Sequence, residues 1–186
     1  MTRIVTSVAQ PTVVRRIAVV GAECVGKTAL CQELAQQLPG HWLPEYLREF
    51  CDRLGRTPRP DEQPHILQTQ IEQEASAHRQ AAELGVYWLL CDSAPIVTAL
   101  YSRLLFQDST LIDPALQHHR NYWATLLLQP DLPWTADGIL RDGPAVRDEF
   151  HRLLTEVLQT ANIQADPIDG CGPARVERAL GLLQAR

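Results

Sequence analysis

The chain has 186 residues and a mass of 20.8 kDa, with 17 Lys+Arg against 22 Asp+Glu, a formal charge of −5 and a pI near 5.6. Such a length suits one domain with a buried core, and 45% hydrophobic with 21% charged residues is a globular composition, not a disordered one. An acidic balance argues against non-specific nucleic-acid binding, and no apolar run approaches the ~20 residues of a membrane span.

Residues 1–14, broken by Pro11, read as a flexible leader, and residues 15–186 as one domain. RRIAVV (15–20) is a β-branched apolar run that reads as a buried strand. Apolar residues at Leu30, Leu34, Ala35 and Leu38 predict a helix over Thr28–Leu38, closed by Pro39-Gly40. HWL (41–43) follows as a short strand and Tyr46–Leu54 as a helix. A loop punctuated by Pro58, Pro60 and Pro64 leads into a polar helix over 65–84. VYWLLCD (86–92) is the most strand-like segment, apolar enough to be buried on both faces. A helix over 96–105 and a buried strand NYWATLLLQ (121–129) come next, then a loop marked by Pro130, Pro133 and Gly138. Phe150, Leu153, Leu154, Val157 and Leu158 predict an amphipathic helix over Glu149–Ala161. A weak strand near Gln164–Ile168 and a helix over 173–184 complete the chain. Strands alternating with helices predict an α/β domain, three-layered, around a mainly parallel sheet.

Between the first strand and first helix, Gly21-Ala22-Glu23-Cys24-Val25-Gly26-Lys27-Thr28 matches the phosphate-loop pattern GxxxxGK[ST] in its required context, with Ala29 continuing into the helix. Small residues let backbone amides curl around a phosphate, and the helix N-terminus adds partial positive charge. Lys27, the single lysine beside 16 arginines, is placed to reach the β- and γ-phosphates, and the Thr28 hydroxyl to ligate magnesium. A nucleoside triphosphate such as ATP is the expected ligand.

Phosphoryl transfer also needs carboxylates for magnesium and the acceptor, and cations for the transferring group. Asp92 ends the strongest strand and reads as a magnesium- or acceptor-site residue, or as a helix N-cap in DSAP. Glu45 follows HWLP and reads equally as a substrate carboxylate or a solvated helix start, with Arg48 able to pair with it one turn on. The stretch 133–147 is polar, hinged by glycines, and carries Arg141 and Arg147. It reads as a mobile lid that excludes water and supplies positive charge, or as an exposed loop.

The chain resembles the ribosylnicotinamide kinase domain of NadR-like proteins, a branch of the P-loop small-molecule kinases. The resemblance rests on GAECVGKTAL (21–30), PEYLREF (44–50), CDSAPIVT (91–98) and PWTADGILRD (133–142) with Arg147, and covers nearly everything after residue 15. It implies a P-loop NTPase fold with a lid, and magnesium-dependent transfer from ATP to the 5′-hydroxyl of nicotinamide riboside. On that likeness Lys27 and Thr28 serve ATP and magnesium, Asp92 and Glu45 are acidic partners of metal and substrate, Arg48 is a pocket residue, and Arg141 and Arg147 are lid arginines. Nicotinamide riboside is a flat cation, so Tyr46, Trp134 and Asp137 are further candidates for its pocket, whereas Trp88 and Trp123, on strands, read as core. The pattern departs at Ala94, where the family has a second acidic residue. Within these 186 residues the adenylyltransferase and DNA-binding domains that accompany such kinases are not expected. A kinase of another nucleoside or small hydroxylated metabolite, or a regulatory P-loop ATPase, stands as the alternative.

The start of the chain lacks a long apolar segment with a cleavage site, and the 5 cysteines are scattered without a CxxC pair. Neither secretion, a disulfide framework nor a structural zinc site is expected, and a reducing cytoplasm is.

Overall fold

In the computed structural model the described residues are 13–135 and 143–186. Five strands, β1 (Arg15–Val20), β2 (His41–Leu43), β3 (Trp88–Asp92), β4 (Ala124–Leu128) and β5 (Asp166–Ile168), form one sheet in the order β2-β3-β1-β4-β5. Every neighbouring pair is parallel, as expected when helical crossovers separate the strands. This is the three-layer P-loop fold read from the sequence.

Burial explains the apolar strand runs. Ile17, Val19, Leu126 and Leu128 are fully buried, and β3 shows why both faces must be apolar. Leu89 and Cys91 pack with Ala77 and Ala81 of helix α3 (Gln63–Glu83), while Leu90 joins the larger cluster containing Leu30 and Leu34 of α1 (Lys27–Gln37). The helices α2 (Tyr46–Leu54) and α4 (Pro95–Phe106) match their expected spans closely. Residues 1–12 of the expected leader lie outside the described residues, but Val14 is buried against the α3 face.

Two helices depart from the sequence expectation. Helix α5 (Ile112–His119) was not expected, because its short span carries Pro114; that proline stands in the first turn, where a missing N–H costs nothing, and Ala115 and His119 bury the inner face. Helix α6 (Pro144–Thr160) starts five residues before Glu149, with Pro144 at its first position and Gly143 at φ 100 before it. Arg147 therefore stands on a helix and not in a loop. Helix α7 (Gly172–Gln184) ends the fold.

Below the sheet edge that carries the site, a buried network ties α3 to the lead-in of β4. Glu74 is fully buried, accepts from the Tyr122 hydroxyl at 2.6 and 2.7 Å, and faces His118 Nε2 at 2.7 Å.

Candidate functional site: a phosphate loop between two cavities

Parallel pairing sends three chain segments out of the same sheet edge. Val19 of β1 pairs with Asp92 of β3, and Leu43 of β2 pairs with Cys91, so Gly21, Asp92 and Glu45 all emerge together. The register, set by the buried apolar strands, is what brings these distant residues to one place.

The phosphate loop closes tightly. A Cβ on Gly21 would come within 2.9 Å of Val25 Cγ2 and 3.1 Å of the Leu128 carbonyl, so only glycine fits. Gly26 adopts φ 80, a left-handed conformation that suits glycine, and serves as N-cap of α1. Ala22 and Val25 are buried in the core, whereas Glu23 and Cys24 face outward from the loop. Lys27 Nζ donates to the Ala22 carbonyl at 2.8 Å, folding the ammonium over its own loop.

Beside it, Asp92 is 2% exposed and its Oδ1 has no hydrogen-bond partner among the described residues. Burial raises the pKa of this carboxyl, opposed by the Thr28 hydroxyl and by the charges of Lys27 and Arg48. Glu45 is also pushed up, first by burial and further by the Asp92 charge, with Lys27 and Arg48 opposing. Asp92 and Glu45 thus feel each other's charge and share Lys27. An orphaned buried carboxylate oxygen, a neighbouring hydroxyl and a second carboxylate form a donor set fit for a hard cation such as magnesium. Among the described residues no cluster of three or more His, Cys, Asp or Glu could hold a metal. Magnesium suits so sparse a set because it retains waters and phosphate oxygens as ligands.

A cavity of about 370 Å³ opens on one side of the loop, lined by Glu23, Cys24, Lys27, Glu45 and Arg48, with Gln63 of α3 and Thr98, Tyr101 and Phe106 of α4. Its size and mixed lining suit a small molecule. A second cavity, of about 420 Å³, lies on the other side against Gly26, Ala29, Leu132, Cys171, Gly172 and Arg175. Lys27 faces one chamber and Gly26, its chain neighbour, the other.

The remaining candidates are dispersed around these chambers. Tyr46 is buried with Phe50 and His65 and is not among the residues lining the first cavity. Trp134 Nε1 donates to Glu23 at 3.1 Å and Cys24 Sγ to the Thr135 carbonyl at 3.5 Å, pinning 134–135 onto the phosphate loop. Arg147 donates to the Leu132 carbonyl at 2.9 Å from the first turn of α6. Asp137 and Arg141 lie outside the described residues. Trp88 and Trp123 are partly buried against the core, with Arg15 over both rings.

Sequence reading missed Gln63, Thr98, Tyr101 and Arg175. Tyr101 and Arg175 lie on helices that were expected, but periodicity marks apolar faces and does not single out a polar residue turned toward a cavity.

The model of a family described as AAA domain matches residues 16–174. The trifunctional NAD biosynthesis/regulator protein NadR of Escherichia coli (strain K12) is 26% identical over 161 residues, which cover 83% of this chain and 38% of that protein. The chain thus spans about two fifths of that relative's length. A crystal structure of NadR protein in complex with NR superposes with a TM-score of 0.72 at 20% identity, covering 92% of this chain and 51% of that one. NadR protein in complex with NAD and AMP-PNP gives 0.75 at 20% identity, with 92% and 49% covered. Deoxyadenosine kinase from M. mycoides with dCMP and dCDP bound gives 0.65 at 13% identity, with 92% and 100% covered. These likenesses show a P-loop kinase fold.

Proposed function

Because the chain belongs to the family described as AAA domain and carries an intact phosphate loop in a P-loop kinase fold, we propose that it is an ATP- and magnesium-dependent kinase of nicotinamide riboside. It transfers the γ-phosphoryl group to the ribose 5′-hydroxyl and yields nicotinamide mononucleotide. One observation carries the reading: Lys27, Glu45 and Arg48 meet on the wall of a single cavity beside the phosphate loop. The sequence similarity to NadR supports the choice of acceptor.

Each residue has a chemical task under this reading. The loop amides and Lys27 hold the β- and γ-phosphates, and Lys27 offsets the charge that spreads over the transferring group. Thr28 and Asp92 would hold magnesium, which would supply neutralisation of phosphate charge. Glu45, at the cavity wall, orients the acceptor hydroxyl and can take its proton, and the upward shift that burial gives its carboxyl makes it a stronger base. Arg48 completes the acceptor pocket. Tyr101, stacked on Phe150 at 4.0 Å between ring centroids, is the aromatic residue of the cavity lining nearest in chemistry to what a flat cationic ring needs. Arg147, in the first turn of α6, and Trp134, bonded to Glu23 of the phosphate loop, border the site; Arg141 and Asp137 are assigned on the family resemblance alone, as a source of positive charge and an acceptor contact. The second cavity is the space for the purine.

A second reading, a kinase of another nucleoside, draws on Ala94. It is buried at the N-cap of α4 and offers no carboxylate where the resembling family has one. Mixing the protein with Mg–ATP and a nucleoside panel, with product detection by mass, tests both. Nicotinamide mononucleotide supports the first reading, another nucleotide the second, and ATP loss without acceptor dependence overturns both in favour of a regulatory ATPase.

A further inference from the structure

Arg175 stands in the first turn of α7, 150 residues from the phosphate loop, yet it is 4% exposed. Its Nη1 donates to the Val25 carbonyl and its Nη2 pairs with Asp131. Asp131 in turn accepts from the Gly170 amide at 2.6 Å, at the start of the loop whose Cys171 and Gly172 line the second cavity. One guanidinium therefore joins the phosphate loop, the segment after β4 and the segment after β5.

We propose that Arg175 is a positioning residue for the nucleotide: it locks the Val25–Gly26 peptide from behind and, through Asp131, holds the turn at 170–171 that leads into α7 in register with it. The inference rests on the reading of this site as a nucleotide site. No cis peptide bond occurs among the described residues, and in a planar trans peptide the C=O and N–H point opposite ways. With the Val25 carbonyl turned to Arg175, the Gly26 amide is turned away from it, toward where the loop would hold a phosphate. A charged donor on the carbonyl also polarises the peptide and strengthens that amide as a donor. Two acceptors at once require a planar fork, which arginine has and lysine lacks. A cation this buried is tolerated because Asp131 neutralises it.

The test measures Mg–AMP-PNP and nicotinamide riboside affinities by calorimetry for the wild type, Arg175→Ala, Arg175→Lys and Asp131→Asn, with folding followed by circular dichroism. Expected is an AMP-PNP affinity about 10- to 100-fold weaker in Arg175→Ala, a smaller loss in Arg175→Lys and Asp131→Asn, and riboside affinity within about twofold throughout. A folded Arg175→Ala with wild-type AMP-PNP affinity overturns the inference, as does equal weakening of both ligands. Should Arg175→Ala not fold, unchanged AMP-PNP affinity in both milder variants overturns it, and graded loss sustains it. A wild type that binds no AMP-PNP fails the nucleotide reading instead.

Discussion

The ammonium of Lys27 lies 2.8 Å from the carbonyl of Ala22, five residues earlier in the same loop. The chain's one lysine thus caps the loop that a polyphosphate would enter, and a bound nucleotide must draw it away. Lys27→Ala is expected to lower turnover about 10²–10³-fold or more, with the melting temperature nearly unchanged. Steady-state kinetics alongside thermal melting check this. Unchanged turnover would remove Lys27 from the mechanism. An amine-reactive reagent adds a second check, since Lys27 labelling followed by peptide mass should fall when Mg–ATP is present.

Asp92 carries a conflict between stability and activity. Its folded pKa is raised, so the folded state favours the protonated form and the ionised carboxylate opposes folding as pH rises through that value. Asp92→Asn is therefore expected to raise the ligand-free melting temperature at pH 7–8, by about 2–4 °C for each kcal/mol relieved, while abolishing turnover. A variant that melts lower than the wild type would contradict the proposed burial cost.

His119 sets the opposite pH dependence. Burial lowers its pKa to about 4, and its Nε2 lies 2.9 Å from Thr125 Oγ1. Its contribution is fully present above the unfolded value of about 6.5 and is lost as pH falls toward 4. Denaturant unfolding of the wild type is expected to weaken across that window, and His119→Asn to flatten the slope by up to about one proton. Equal slopes in both would show that other groups govern acid sensitivity.

For the lid, Arg141→Ala is expected to slow phosphoryl transfer at least about tenfold more than it weakens ATP binding, because an arginine that meets developing charge acts in the transition state. Single-turnover rates and a nucleotide titration separate the two effects. Equal losses would make Arg141 a binding residue.

Glu74 carries a stability prediction without a catalytic one. Glu74→Ala removes the acceptor of Tyr122 and the partner of His118, at a cost of about 1–3 kcal/mol for each group left without a partner. Chemical denaturation reads the loss, with the affinity for Mg–ATP in the remaining folded protein held.

How far the sequence alone reached follows from the range of the forces involved. β1, α1, β2, α2, β3 and β4 were legible because burial writes itself into local periodicity, and the phosphate loop because a glycine turn between strand and helix is a local solution to anion binding. The start of α6 and the whole of α5 were not, since each depends on a proline whose helical tolerance is decided by its place in the first turn. Only the tertiary structure could bring Glu45, Asp92 and Lys27 into mutual electrostatic reach, because that depends on strand register and order across the sheet. The same holds for Arg175 behind Val25: a contact spanning 150 residues leaves no mark on composition, spacing or motif.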